Sequence, residues 1–241
     1  DGDLPRSLLM ESEGRYEVYY APFDFVMPTA RIVLVGITPG KQQATEAINT
    51  ARLLLQQGAT IEAACKRAKS AASFAGAMRN NLVAMLDHIG VHVRLGISST
   101  ADLWRSRTDL VHFTSSLRYP VLKDRMNFSG SGILGQDVLR RQIDTYFGAE
   151  CEVLTSSLFI PLGDAAEAAC QRMIHQGKLN ATRVLTGLAH PSPANAERIN
   201  YFLRKKAAEN LSTRTSAAKI GAGRAEALRS VEGWAVAHAA G

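Results

Sequence analysis

The sequence predicts an α/β chain, a three-layer α/β/α sandwich around a central four-stranded parallel sheet. Three observations lead there. Four short runs are almost continuously apolar, as strands covered on both faces must be. Stretches with helical spacing of apolar residues fill the gaps between them. The resulting order, strand then helix repeatedly, implies right-handed βαβ units.

The four predicted strands are Arg31–Gly36 (RIVLVG), Leu110–Ser116 (LVHFTSS), Ser157–Gly163 (SLFIPLG) and Arg183–Leu188 (RVLTGL). Each is brief and rich in Val, Ile, Leu or Phe. A first helix is predicted over Thr45–Gln57, with Ile48, Ala51 and Leu55 on one stripe and Gly58 as its stop. A second covers Ala75–Ile89 through Met78, Leu82, Met85 and Ile89, ending before Gly90. A third covers Gln136–Phe147 through Leu139, Ile143 and Tyr146. Asp164 is placed to cap a fourth, through Ile174, because a carboxylate accepts the free N–H groups of a first turn. A fifth covers Asn195–Leu211 with Ile199, Phe202, Leu203 and Ala207 inward and Arg204 to Lys206 outward. Gly223–Gly241 reads as a last helix with Val231, Trp234 and Val236 on one face, for packing or for a partner. One domain over 1–212 and a basic helical extension over 213–241, packed on the same domain, account for the chain.

Composition narrows the classes. The 241 residues are 46% hydrophobic and 21% charged, which is ordinary for a soluble domain. No apolar run approaches a membrane span of roughly 18–20 residues. The opening DGDLPRSLLMESEG is acidic and lacks an apolar signal core, so a cytoplasmic protein is expected. Cys65, Cys151 and Cys170 form no CxxC pair, which argues for free thiols over a disulfide framework, a zinc ribbon or a four-cysteine cluster. Net charge is +6 and the isoelectric point about 9.4, suiting a polyanionic partner. Much of the excess lies late, in Arg198, Arg204, Lys205, Lys206, Arg214, Lys219, Arg224 and Arg229.

Ligands of open parallel sheets bind beyond the carboxyl ends of the strands. Two unusual loops fall there. Gly36–Lys41 (GITPGK) puts two glycines around a Thr-Pro pair, so backbone can approach a ligand closely and Pro39 fixes the turn. It lacks the GxxxxGK[ST] spacing of a phosphate loop. Ala189–Asn195 (AHPSPAN) stiffens His190 with two prolines, and a histidine so held can donate to an oxygen gaining negative charge.

Together, VGITPG and HPSPAN resemble the two active-site motifs of the uracil-DNA glycosylase superfamily, in the same order and each after a strand. Ser73–Val91 (SFAGAMRNNLVAMLDHIGV) is similar to the stretch where the iron–sulfur branch has its base-stacking Phe. Phe113–Pro120 (FTSSLRYP) occupies the place of the strand whose Asn reads the uracil edge, and Phe159–Ala169 matches the strand and helix before the His motif. The resemblance spans roughly residues 20–205. There are departures. Thr38 stands where most branches have the Asp or Asn that positions water, and Ser115 where the uracil-reading Asn is expected. The cluster cysteines are missing, so no iron–sulfur cluster, metal or other cofactor is expected. The His motif is closest to the single-strand-selective branch.

The resemblance implies an enzyme that flips uracil from DNA and hydrolyses its N-glycosidic bond, leaving an abasic site. It assigns catalysis to His190, which would stabilise the departing base, and to Thr38, which would help place water. It assigns base binding to Gly36, Ile37, Pro39, Gly40, Phe74 and Ser115, with Phe74 stacking on the flipped ring. DNA contacts fall to Lys41, Ser192, Pro193, Asn195 and Arg198, with Ser129–Gly132 (SGSG) a phosphate cradle or a flexible loop. No Lys stands in either motif as a Schiff-base amine, which favours a monofunctional hydrolase, expected as a monomer on single- or double-stranded DNA. Other readings are a glycosylase for another deaminated base such as hypoxanthine, a low-turnover protein that binds uracil-containing or abasic DNA, and an unrelated α/β enzyme acting on nucleotides.

Overall fold

The structure is a computed structural model and describes residues 3–234. Two hairpin strands, β1 (Leu9–Glu13) and β2 (Tyr16–Tyr19), precede the first apolar run, β3 (Ile32–Gly36). Then come α1 (Lys41–Gln56), α2 (Ile61–Ala72), α3 (Ala77–His88), the short α4 (Val91–Leu95) and β4 (Val111–Ser115). Two short strands, β5 (Val121–Lys123) and β6 (Met126–Asn127), lead to a continuous helical stretch. It starts as α5 (Asp137–Gln142), turns π-helical over Ile143–Phe147 and ends as α6 (Gly148–Val153). The rest is β7 (Leu158–Pro161), α7 (Asp164–His175), α8 (Ala196–Phe202) and α9 (Ala217–Gly233).

The central sheet is parallel and has three strands in the order β4-β3-β7. Alternate residues of β3 show why it must lie between helical layers. Ile32 and Leu34 join one hydrophobic cluster with Leu82 and Met85 of α3, Phe202 of α8 and Val231 of α9. Val33 and Val35 join another with Val138 of α5, Phe147, and Ala166 and Met173 of α7. The expected fourth strand over Arg183–Leu188 is a correction. It makes one parallel bridge, Val184 to Phe159, is interrupted after Leu185, and meets the β7 segment again only where Leu188 O accepts the Gly163 N–H at 3.0 Å. Gly187, at φ 90°, turns the chain where a fourth strand would have continued.

A second, antiparallel sheet in the order β1-β2-β5-β6 was not expected. Beside it α1 and α2 pack through alanines, Ala44, Ala47 and Ala51 facing Ala64, Ala68 and Ala72.

Several helix limits also differ from expectation. Helix α1 begins at Lys41, four residues early, because Asn127 of β6 accepts the Lys41 N–H at 2.9 Å and Gln43 accepts that of Gly40 at 2.9 Å. Asp164 is the first residue of α7, not its cap; its carboxylate meets Lys219 at 2.9 Å. Helix α8 stops at Phe202. Arg204 adopts φ 59° and Lys205 N–H reaches back to Asn200 O at 2.8 Å, a left-handed stop made without glycine. Ala207, expected inward, is exposed. Helix α9 begins at Ala217 and buries Ile220, Ala227 and Val231, with Trp234 behind them, in the same cluster as β3. Val236 lies outside the described residues.

Candidate functional site

The carboxyl ends of β3 and β4 and the segment after Leu188 converge on a cavity of about 400 Å³. Gly36, Ile37, Thr38, Pro39, Phe74, Ser115, His190, Ser192 and Asn195 all line it. Gly40, Lys41, Pro193 and Arg198 do not. Arg198 lines a wider groove next door, Pro193 is exposed, and the Lys41 ammonium is paired with Asp3 at 2.9 Å.

Gly36 is required at the end of β3 by what crowds it. A side-chain carbon there would stand 3.2 Å from Ser115 Oγ and 3.5 Å from the Phe74 ring. Thr38 has a structural task that its sequence position does not reveal. Its hydroxyl donates to Tyr119 O at 3.0 Å and accepts the Val121 N–H at 3.0 Å, so it fastens the first motif to the start of β5. One lone pair is left, which can accept a hydrogen from water but cannot serve as a general base.

Phe74 connects α2 to α3 with φ 49°, unusual for a bulky residue. Neighbours over-determine the turn: Arg79 Nε donates to Phe74 O at 3.2 Å and Trp104 Nε1 donates to Ser73 O at 3.1 Å. Strain of this kind costs about 1–3 kcal/mol and clusters at functional sites. The ring is buried beside Phe113, centroids 6.2 Å apart, and forms part of the cavity wall.

The His190 loop is held on three sides. Asn195 donates to His190 O at 3.0 Å, Asn81 of α3 donates to Pro191 O at 2.9 Å, and Gly163 leaves room for the His190 Cβ. Ser192 N–H donates to His190 Nδ1 at 3.3 Å. That bond makes Nδ1 an acceptor and assigns the proton of the neutral ring to Nε2. Burial lowers the imidazole pKa, so at neutral pH the ring is uncharged with Nε2–H as its donor.

Behind the cavity lies a buried charge cluster that the sequence reading did not find. Arg118 Nε donates to Glu150 Oε1 at 2.9 Å and its Nη2 to Tyr146 O at 3.0 Å. Lys69 Nζ donates to Phe25 O at 2.9 Å and lies 3.6 Å from Glu150. His112 Nδ1 accepts the Met27 N–H at 3.4 Å, and its Nε2 sits 3.3 Å from Glu150 Oε2 without hydrogen-bond geometry. Burial pushes the Glu150 carboxyl upward, but Lys69, His112 and Arg118 outweigh it and hold the group below the usual carboxylate range. Burial lowers the Lys69 ammonium to about 8 and, helped by the Lys69 charge, the His112 imidazole to about 4. The His112–Glu150 contact is therefore one between a neutral ring and a carboxylate, not an ion pair. Lys69 and Arg118 both line the cavity.

Ile37, Ser129, His190 and Asn195 also border a neighbouring groove of about 1130 Å³. The SGSG loop and the first residues of α7 form one side, and α9 the other, with Arg198, Arg214, Lys219 and Arg229 along it. Helix α9 is fastened backbone to backbone: a side-chain carbon on Gly187 would stand 2.5 Å from Gly223 O.

No family model matches the chain, and no solved structure matches it. A curated protein of Bacillus subtilis (strain 168) does, bearing the name "Uncharacterized protein YoxB". It is 37% identical over 201 residues, which cover 82% of this chain and 78% of YoxB. The chain belongs to the YoxB family. In this YoxB-family chain no group of three or more His, Cys, Asp or Glu side chains gathers as metal ligands among the described residues. Among those residues no helix is long and apolar enough to cross a membrane. The residues the sequence reading missed are Lys69, Arg118 and Glu150, with Phe23, Phe113 and Phe128 of the cavity wall. Arg118 carried a signal, since it sits in the same post-strand segment as Ser115. Lys69, spaced like an ordinary helix-surface cation near Lys66 and Arg67, carried none.

Proposed function

We propose that this protein is a DNA glycosylase that draws a deaminated base, uracil or the alternative hypoxanthine, into the 400 Å³ cavity and hydrolyses its N-glycosidic bond. One observation carries the reading. The loop after β3, the Phe74 turn and the His190 loop come from widely separated parts of the chain and line one cavity with aromatic walls. A base inside a duplex is unreachable, and extruding it costs a few kcal/mol. Stacking on Phe74 recovers about 1–3 kcal/mol of that.

Cleavage spreads positive charge over the sugar and negative charge over the leaving base. His190 Nε2–H then donates to a base carbonyl as its charge grows, without itself losing a proton. A preorganised donor of this kind is worth roughly 3–4 kcal/mol. Water attacks a sugar that is already cationic and needs orientation more than deprotonation. The free lone pair of Thr38 and the backbone of Pro39–Gly40 provide that. The groove beside α9 carries the DNA strand, with Arg198 and Arg214 near its phosphates. The protein acts as a monomer in the cytoplasm and uses no cofactor.

The committed hydroxyl of Thr38 favours one second reading, a protein that holds damaged or abasic DNA with little turnover. Oligonucleotides carrying uracil or hypoxanthine, single- and double-stranded, separate the two. Base release with an alkali-labile abasic site is expected. Tight binding with no release from any substrate establishes the second reading instead.

A further inference from the structure

The polar groups facing the base cavity are unevenly divided between donors and acceptors. Both carboxamides on its wall are already engaged. Gln43 accepts from Gly40 N–H at 2.9 Å and donates to Ala72 O at 3.2 Å, while Asn195 donates to His190 O at 3.0 Å and accepts from Arg198 at 3.4 Å. What remains besides adaptable serine and threonine hydroxyls is His190, whose Nδ1 is taken by Ser192 N–H so that Nε2–H faces outward as a donor, and Arg118 and Lys69, groups that donate and cannot accept. Glu150 grips Arg118 Nε from behind, Tyr146 O takes one Nη2 hydrogen, and the Tyr119 hydroxyl lies beside the guanidinium. The other N–H groups of its fork make no hydrogen bond among the described residues, and the side chain is 11% exposed. A guanidinium fixed in this way is a rigid donor pair, and its natural counterpart is two adjacent acceptors.

Resting on the glycosylase reading, we propose that Arg118 reads the edge of the extruded base, and that it selects the adjacent O6 and N7 acceptors of a 6-oxopurine over uracil. Hypoxanthine, xanthine and guanine all present that edge, and an arginine fork on O6 and N7 of guanine is the commonest specific base contact. Guanine differs by a 2-amino donor, which is disfavoured by a wall whose charged and ring groups only donate. Uracil sets a donor, N3–H, between its two carbonyls, so a fork placed across that edge meets a like group. Adenine pairs N7 with an amino donor and is rejected for the same reason. The walls suit a bicyclic ring: Phe23, Phe74, Phe113 and Phe128 surround the cavity.

The test uses the full chain and single-stranded oligonucleotides carrying hypoxanthine, 7-deazahypoxanthine, uracil or adenine at one position. Binding is read by fluorescence anisotropy and base release in single turnover. The 7-deaza ring keeps shape and O6 but replaces N7 by C–H. Hypoxanthine is expected to bind about tenfold or more tighter than both 7-deazahypoxanthine and uracil. R118K, which keeps a cation beside Glu150, is expected to fold and to erase that difference. Equal binding of hypoxanthine and its 7-deaza analogue by wild type, or preference for uracil, overturns the proposal and leaves the glycosylase reading intact. Selective binding of hypoxanthine with no base released from any oligonucleotide overturns the glycosylase reading and upholds Arg118 as the reader.

Discussion

Acid should destabilise this protein chiefly through one histidine, His112, with smaller contributions of the same sign from the buried His190 and from His88. His112 is 1% exposed, its Nδ1 accepts the Met27 N–H, and its ring lies against the Lys69–Glu150–Arg118 cluster. Burial, and then the Lys69 charge, lower its pKa from 6.5 to about 4. The unfolded chain therefore takes up the proton first. The stabilisation is fully present above the unfolded value and is lost as pH falls from about 6.5 towards 4. A gap of that size, at 1.36 kcal/mol per unit, corresponds to roughly 3 kcal/mol. Urea unfolding from about pH 7.5 to about pH 4.5 reads it directly. His112→Asn keeps an acceptor for the Met27 N–H and removes the titration, so the variant should lose most of the acid slope over this window. An unchanged slope in His112→Asn would refute the assignment of a neutral, buried ring.

Three further outcomes follow from the geometry. Gly187→Ala should cost about 2–5 kcal/mol, combining a left-handed backbone at φ 90° with a side chain driven into Gly223, whereas Gly221→Ala in the same helix meets nothing and should stabilise by about 0.5–1 kcal/mol; denaturation midpoints compare the two, and equal effects would remove the backbone fastening of α9. Phe74→Ala should weaken binding of base-modified DNA by about 1–3 kcal/mol, and Phe74→Gly, which suits the left-handed turn, should regain stability without regaining binding; a Phe74→Ala variant of unchanged affinity makes the ring plain core. DNA affinity should fall with salt at a log–log slope near −0.9 per phosphate contact on duplex, and removing Arg198 or Arg214 should each lessen that slope by about one; a flat response rules out the groove as a phosphate track.

Much of the sheet was legible because β3, β4 and β7 are apolar runs with no competing pattern. The fourth run failed as a strand because pairing requires an edge to follow, and Gly187 turns the chain away from β7 towards α9. The antiparallel sheet was illegible for a different reason. β1 is mostly polar and β6 is two residues long, and the two hairpins become one sheet through the pairing of β2 with β5, Tyr16–Val18 against Val121–Lys123, which are far apart in the chain. Helix ends went wrong where a distant side chain or an unusual backbone decided them, Asn127 capping α1 and Arg204 terminating α8. The cavity's rim was readable from glycine, proline and histidine directly after strands. Its floor was not, because Lys69 and Glu150 look like surface charges on helices until the fold brings them together.

The central claim is that His190 acts on a departing base, and its most direct test is single-turnover base release by wild type and His190→Ala on the same damaged oligonucleotide. The imidazole is a neutral donor whose tautomer is fixed by Ser192 N–H, so removing it should slow release by about 10²–10³-fold while DNA affinity stays nearly constant. Release at the same rate by both proteins, or none by wild type from any deaminated base, would contradict the account.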